Sequence, residues 1–279
     1  MNDVELQWIA GVIDAEGSIE MSTQRAKRMS YIVIIRRHRI RISTTDNIII
    51  PKIAKLLNRN FADNNYRKTI TINSNQCKKL LIKLLPYLYI KQPQAKLLLK
   101  AMSIKDGKNT PYTIKENNQW AYICDKVQKL NMRGKYAPID NYQRNHTFSW
   151  PWLAGLIDGD GTITNSEFGP RNCCTIKPIV KISLTNLKTI EYLSKQLNIK
   201  SLPSGGGKGN KRITRAIRLM SNNIYNIIPN ILPFLTLKKE RALLAFEIVR
   251  LRREIPNGQN NHKNIVKVKE LINKLDILN

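Results

Sequence analysis

Two dense runs of apolar residues stand at corresponding places in the two halves of the chain, and each run ends in a pair of acidic residues. The first is LQWIAGVIDAEGSI, beginning at Leu6, and the second is WPWLAGLIDGDGTI, beginning 144 positions later at Trp150. Each run predicts a short helix with small residues at its centre, where another backbone can come close. We therefore expect the two helices to pack together through Ala10, Gly11, Ala154 and Gly155.

Alternation of apolar and polar residues predicts strands after each of these helices. In the first half the strands span residues 18–24, 31–43 and 66–73, with a basic turn at 25–28, and in the second half they span 161–168, 175–183 and 212–220. Helical spacing predicts helices at 46–58, with Asp46 as the N-cap, and at 75–88, 92–103, 116–130 and 186–198. This order predicts an α+β fold with two pseudo-symmetric αββαββα halves, in which antiparallel sheets have helices behind them.

The repeat also predicts how the chain divides into domains. Residues 131–149 have no apolar period and contain Gly134, Pro138 and several asparagines, which is typical of a linker. The predicted parts are a first half at 1–130, a linker at 131–149 and a second half at 150–279.

The charge of the chain indicates a polyanionic partner. Lys and Arg number 47 against 20 Asp and Glu, which gives a formal net charge of +27, and 42% of the residues are hydrophobic. A folded chain with this balance favours nucleic acid as its partner. No membrane partner is predicted, because no apolar run reaches about 18 residues. The four cysteines and three histidines lack the spacing of a zinc site or a disulfide framework.

The nine residues LAGLIDGDG at Leu153–Gly161 resemble the signature motif of the LAGLIDADG homing endonucleases, and IAGVIDAEG at Ile9–Gly17 matches it with conservative changes. Two copies at a domain-sized spacing indicate the single-chain, two-motif type. The resemblance implies a monomer in which the two sheets form a saddle that binds double-stranded DNA. It also implies an intron-encoded, site-specific enzyme that makes a metal-dependent double-strand break, with short 3′ overhangs, in a long asymmetric target.

Metal-dependent cleavage of a phosphodiester needs carboxylates that hold divalent cations, and hard oxygen ligands suit Mg²⁺. The resemblance implies that the second acid of each motif is both catalytic and a metal ligand. These acids are Glu16 and Asp160, and the carbonyls of Ala15 and Gly159 are the expected additional metal ligands.

Two lysines complete the predicted catalytic set. LLPYLYIK ends at Lys91 and ILPFLTLK ends at Lys238, and both stretches are similar to one that precedes a long helix in the family. There the terminal lysine arranges water or stabilises charge at the scissile phosphate, whereas the alternative is an ordinary surface lysine at a helix start. The first acids of the motifs, Asp14 and Asp158, are expected to be structural hydrogen-bond acceptors near the helix junction.

Specificity is expected from strand residues in the major groove, where Arg recognises guanine and Gln or Asn recognises adenine. For the arginine-rich strand, a solvated edge strand is the alternative. The predicted DNA contacts of the first half are Ser22, Gln24, Arg37, Arg39, Arg41, Arg67, Thr69 and Thr71. Those of the second half are Thr164, Ser166, Lys177, Lys181, Arg212, Thr214 and Arg218.

Two other functions fit the same scaffold. An intron RNA maturase would bind its intron RNA and depend little on the acid pair, and a DNA-binding regulator would have lost cleavage, against which the two retained acids argue. The abundance of Ile, Asn and Lys fits an AT-rich organelle genome. The expected location is therefore a mitochondrion or chloroplast if the chain is organelle-encoded, and otherwise the cytoplasm.

Overall fold

The computed structural model of the protein describes residues 1–28, 31–104, 112–132, 142–169, 175–205, 213–254 and 262–278. These residues form two compact units, the first comprising Met1–Thr147 and the second Phe148–Gly207 together with Ile213–Asn279. Residues 142–147 of the predicted linker thus belong to the first unit, and residues 133–141 lie outside the described part of the chain. None of the described helices is long and apolar enough to span a bilayer.

The first unit contains one four-stranded antiparallel sheet with strand order β1-β2-β4-β3. Its helices are α1 (Asp3–Glu16), α2 (Ile49–Leu57), α3 (Ser74–Leu84), α4 (Gln92–Ser103) and α5 (Ile114–Asn131). Its strands are β1 (Gly17–Arg28), β2 (Tyr31–Thr44), β3 (Ala62–Asn64) and β4 (Arg67–Asn73).

The second unit repeats this order of elements, with strand order β5-β6-β8-β7. Its helices are α6 (Trp150–Asp160), α7 (Leu187–Leu197), α8 (Ser221–Ile231), α9 (Lys239–Arg253) and α10 (His262–Ile277). Its strands are β5 (Gly161–Phe168), β6 (Thr175–Leu184), β7 (Leu202–Gly205) and β8 (Thr214–Met220). The predicted α+β class, with two repeated halves and antiparallel sheets, is confirmed.

The two sheets share one register. Ser22 pairs with Arg37 in the first sheet, and Ser166 pairs with Lys177 in the second. Strands β4 and β8 also correspond, since Arg41 of β2 lies opposite Thr71 of β4 and Lys181 of β6 lies opposite Arg218 of β8. The duplication seen in the sequence therefore extends to individual cross-strand pairs.

Each sheet has one apolar face, which packs against helices of its own unit. In the first unit, α3, α4 and α5 contact β1 and β2, and in the second, α9 and α10 contact β5. Buried apolar residues stand at equivalent positions of the two sheets, namely Ile19, Ile40, Ile42, Ile70 and Ile72 in the first and Ile163, Val180, Ile182, Ile217 and Leu219 in the second. Because strand side chains alternate, the opposite face carries the polar residues.

Three predicted boundaries were wrong, each for a local reason. The basic segment 25–28 continues β1 rather than forming a turn. Helix α2 begins at Ile49, because the Asp46 carboxylate accepts the N–H groups of Ile48 and Ile49 at 2.8 and 2.7 Å and holds a turn ahead of the helix. Helix α3 ends at Leu84 instead of Leu88, since Pro86 has no N–H to continue the hydrogen-bond ladder of the helix.

Candidate active site and nucleic-acid interface

Each motif helix runs into the first strand of its sheet without a loop, α1 into β1 and α6 into β5. A Cβ on Gly17 would lie 2.8 Å from the Cα of Ile13, and one on Gly161 would lie 2.7 Å from the carbonyl oxygen of Ile157. Glycine is required at both junctions because any side chain would collide with the preceding helical turn. The junction therefore fixes the second motif acid as the last residue of its helix, at the edge of the sheet.

Those two acids are Glu16, which is exposed, and Asp160, which is half-buried. Neither motif helix has a basic residue in its last turn, so each carboxylate adds to the partial negative charge of the helix C-terminus. Carboxylate and carbonyl oxygens are the donors that hard divalent cations prefer, and the chemistry of this donor set fits such an ion. In the described part of the chain, no group of three or more His, Cys, Asp or Glu side chains is placed to hold a metal.

The first motif acids are buried and accept backbone hydrogen bonds. Asp14 accepts the N–H of Tyr89 at 2.7 Å and that of Lys91 at 2.8 Å. In the second unit, the carboxylate of Asp158 accepts the N–H of Thr236 at 2.9 Å and that of Lys238 at 3.0 Å. The prediction that these carboxylates are structural acceptors is confirmed, and each ties the turn before a long helix to the end of the motif helix.

The same turns bring the predicted catalytic lysines to the motif helices. The ammonium of Lys91 donates to the carbonyl of Asp14 at 2.6 Å. The ammonium of Lys238 donates to the carbonyls of Ile157 at 2.7 Å, Asp158 at 2.8 Å and Gly159 at 3.0 Å. A cation bonded to C-terminal carbonyls offsets the negative end of the helix dipole, and here it stands beside the motif acid.

Lys238 is only 8% exposed, so it is not an ordinary surface lysine. Its bond to Gly159 places a cation on one of the carbonyls predicted to bind metal. A carbonyl oxygen has two lone pairs, so this bond leaves Gly159 able to accept a second partner. The catalytic and metal-binding roles of Glu16, Asp160 and the two lysines stay predictions.

The helix-interface residues predicted from the motifs, Ala10, Gly11, Ala154 and Gly155, are buried. They lie in the middle of α1 and α6, as the sequence placed them. Their predicted role stays a prediction.

The predicted DNA contacts of the first unit lie on a single face of its sheet. The pairs Ser22 with Arg37 and Arg41 with Thr71 place these side chains on the face opposite the buried isoleucines. The residues predicted on this face, which we call the first polar face, are Ser22, Gln24, Arg37, Arg39, Arg41, Arg67, Thr69 and Thr71.

The second sheet has an equivalent second polar face. It holds Thr164, Ser166, Lys177, Lys181, Thr214 and Arg218, whereas Arg212 lies outside the described residues. The ammonium of Lys177 stands 5.9 Å from the ring centroid of Phe168 on the same face. The alternation in the sequence thus placed each of these residues on the correct face of its sheet. Their contact with DNA stays a prediction.

Some of the predicted contacts already use their hydroxyl groups in hydrogen bonds within the sheets. The hydroxyls of Ser43 and Thr69 lie 2.6 Å apart, and the hydroxyl of Thr214 donates to the carbonyl of Gly205 at 2.6 Å. These hydroxyls are therefore less available to a ligand than the exposed guanidinium groups of Arg37 and Arg41.

A carboxylate on the first polar face was not assigned a role from the sequence. Glu20 lies directly opposite Arg39, accepts the Nε–H of that arginine at 2.6 Å and accepts the hydroxyl of Ser18 at 2.5 Å. Burial alone would raise the pKa of Glu20, but the bonds from Ser18 and Arg39 and the charges of Arg39 and Arg41 leave that pKa below its usual value. Glu20 is therefore an anion at neutral pH.

The end of the predicted linker contacts the turn of the first unit that carries Lys91. Arg144 donates through Nε to the carbonyl of Tyr89 at 2.6 Å. The side chain of Gln92 donates to the carbonyl of Asn145 at 2.6 Å and accepts the N–H of Asn145 at 3.0 Å. These contacts join residues far apart in sequence, and no periodicity could have predicted them.

His146 follows in the same segment, with its ring 5.3 Å from that of Tyr89 between centroids. Burial lowers the pKa of His146 to about 4, although a hydrogen bond with the backbone of Tyr87 acts in the opposite direction.

Comparison with known proteins gives relatives in sequence and in structure. No protein-family model matches the chain. A curated relative, the DNA endonuclease I-CvuI of Chlorella vulgaris, is 28% identical over 138 residues, which are 46% of this chain and 81% of the relative.

Solved structures match almost the whole chain. I-SmaMI bound to an uncleaved DNA target in the presence of calcium ions matches with a TM-score of 0.68 at 15% identity, covering 98% of both chains. The LAGLIDADG homing endonuclease I-GzeII in complex with its DNA target gives 0.67 at 14% identity over 96% of both chains. I-LtrWI, another LAGLIDADG homing endonuclease bound to target DNA, gives 0.64 at 16% identity over 98% of both chains.

Two repeated units, each with a motif helix that enters a four-stranded antiparallel sheet directly at glycine, define a two-motif LAGLIDADG fold. The fold is that of the LAGLIDADG homing endonucleases, and the recognition made from the two motifs is confirmed.

Proposed function

We propose that the chain is a site-specific homing endonuclease that makes a metal-dependent double-strand break in a long asymmetric DNA target. The observation that carries the proposal is the junction found in both units, where a helix-terminal acid directly adjoins a polar sheet face. The relatives support it, since the curated one is named a DNA endonuclease and one solved structure of I-SmaMI is bound to cleaved DNA.

The two polar faces are proposed to bind DNA in the major groove. Their arginines and lysines carry positive charge on strands whose alternation keeps the apolar side chains on the helix side. With a net charge of +27, we expect affinity to fall steeply as salt rises, because phosphate contacts release counterions. Arginine and hydroxyl side chains on the same faces would supply base recognition.

Glu16 and Asp160 are proposed to hold Mg²⁺, with the carbonyls of Ala15 and Gly159 as additional oxygen ligands. When bound, the ion would polarise a phosphoryl oxygen and lower the pKa of a bound water. The oxygen donors at the end of each motif helix are what support a hard divalent cation here.

Lys91 and Lys238 are proposed to stabilise negative charge at the scissile phosphates. Each ammonium is held at the C-terminal carbonyls of a motif helix, one or two residues before the motif acid. A cation preorganised next to the reacting group costs no reorganisation when charge develops.

Cleavage of a randomised duplex library with and without Mg²⁺ tests the proposal, comparing the wild type with Glu16→Gln, Asp160→Asn and the exposed control Glu191→Gln. We expect metal-dependent cuts with short 3′ overhangs at one long motif, lost in either acid variant while binding survives, and unchanged in the control. Tight binding without any wild-type cleavage would contradict the proposal and favour a non-cleaving DNA-binding protein, and selective binding of intron RNA would favour a maturase.

Three further features are proposed on the sequence alone. Action as a monomer follows from two motifs in one chain, and light scattering of the purified protein tests it. Intron encoding and an organelle location follow from the composition and the resemblance, and localisation of the tagged protein in its host tests the second.

A further inference from the structure

The first polar face contains an acid that its proposed function does not explain. Among the described strand residues of this face, Glu20 is the one acidic side chain. It stands among arginines on a surface proposed to meet phosphates, where an unneutralised carboxylate would repel the ligand. We therefore ask which neighbouring side chain this carboxylate positions.

That side chain is Arg39, whose guanidinium is held from one side. Its Nε–H donates to Glu20 Oε2 at 2.6 Å, and the side chains of Arg39 and Glu20 are only 30% and 26% exposed. Within the described part of the chain, the two Nη atoms of Arg39 make no hydrogen bond. Four N–H groups of the planar fork are therefore not used by a hydrogen bond in the described part of the chain.

Glu20 is itself fixed, because Ser18 occupies its other oxygen at 2.5 Å. With both carboxylate oxygens engaged, Glu20 acts through Arg39 rather than on a ligand. An arginine recognises guanine by two parallel bonds to O6 and N7, and a side chain already fixed in one rotamer loses less entropy on binding.

We propose that Glu20 is a positioning residue that holds Arg39 to recognise one guanine in the half of the target bound by the first unit. The inference rests on the proposed function, since it concerns specificity at the same face.

The second unit lacks this device. Thr164 and Ile179 occupy the pair equivalent to Glu20 and Arg39 in the second sheet. Neither side chain is charged, so no guanine preference of this kind is expected at the symmetry-related position of the other half-site. The protein thus contains its own internal control for the effect of the pair.

The test is a binding selection from a randomised duplex library in Ca²⁺ buffer, with sequencing of the bound fraction. The proteins are the wild type, Glu20→Gln, Arg39→Gln and Arg37→Gln, which removes a neighbouring arginine of the same strand. Thermal melts verify that each variant is folded.

We expect the wild type to prefer guanine at one position by about tenfold or more. Arg39→Gln should abolish that preference. Glu20→Gln should reduce it to about threefold or less with little loss of overall binding. Arg37→Gln should leave the preference for guanine at that position unchanged. If Glu20→Gln acted only by removing the repulsion between the carboxylate and DNA, it would instead raise the affinity for all sequences alike.

The proposal is overturned if Glu20→Gln keeps the full preference, or if Arg39→Gln weakens binding equally at every base. In both of those outcomes the wild type still selects a site, so the proposed endonuclease function stands. If the wild type selects no sequence, the proposed function fails and this inference fails with it.

Discussion

Replacing Asp158 with asparagine should destabilise the turn that carries Lys238 in the second unit. The equivalent turn of the first unit, which carries Lys91, should not change. The carboxylate accepts the N–H groups of Thr236 and Lys238 at 2.9 and 3.0 Å. An asparagine has a single acceptor oxygen, so one of the two N–H groups would face an NH₂ group instead. Because Asp158 is 1% exposed, water does not replace the lost bond.

The size of the effect follows from the kind of bond that is lost. A hydrogen bond to a charged group contributes about 1.5 to 3 kcal/mol, and about 1.4 kcal/mol corresponds to a factor of ten. Opening of the turn should therefore become roughly 10- to 150-fold easier. Asp158→Asn should also lower cleavage, because the ammonium of Lys238 is positioned by the same turn.

Amide hydrogen exchange measures this opening locally, which avoids treating two units as one cooperative transition. Protection of the Thr236 and Lys238 amides should fall by the stated factor, whereas that of the Tyr89 and Lys91 amides, held by Asp14, should not change. Unchanged protection of the Thr236 and Lys238 amides, or an equal loss in both units, would refute the reasoning.

Three further predictions concern the junction, the buried lysine and the buried histidine. Gly161→Ala should destabilise the second unit by about 2 to 4 kcal/mol, because its Cβ would lie 2.7 Å from a backbone oxygen, and a urea titration showing less than about 0.5 kcal/mol would contradict this. Lys238→Met should destabilise its unit more than Lys91→Met, since Lys238 is the more buried, and equal melting temperatures would contradict that. Between pH 6.5 and about 4 the unfolded state binds a proton at His146 before the folded state does, so stability should fall as pH falls through this window, by about 1 to 2 kcal/mol after allowance for partial exposure. The melting temperature of His146→Gln should lose that part of the pH dependence, and parallel curves would refute it.

The positions that sequence could predict are those fixed by local chemistry. The glycine after each motif acid, the alternation that buries Ile40 and Ile42, and the repeated order of elements all depend on residues within a few positions of each other. The repeat of this order in the second half, at offsets that vary only slightly along the chain, then carried these predictions from one unit to the other, and the shared registers confirm it.

What the sequence could not predict depends on which distant groups meet. The bond between Glu20 and Arg39 requires the register of β1 against β2 and joins residues 19 positions apart. The docking of the Lys238 ammonium on the carbonyls of α6 joins positions about 80 residues apart. Alternation indicates the face on which a side chain lies, but it does not indicate the partner that the side chain finds there.

The two units are alike in fold but differ in the chemistry of their sites. The second motif acid is a glutamate in one unit and an aspartate in the other, and the glutamate is the more exposed. Only the first unit carries an anion among the arginines of its polar face within the described residues. A duplicated scaffold with identical faces would favour a palindromic target, because equivalent side chains would meet equivalent bases. Substitutions confined to one copy, such as Glu20 with Arg39 against Thr164 with Ile179, are therefore what would allow a single chain to recognise an asymmetric site.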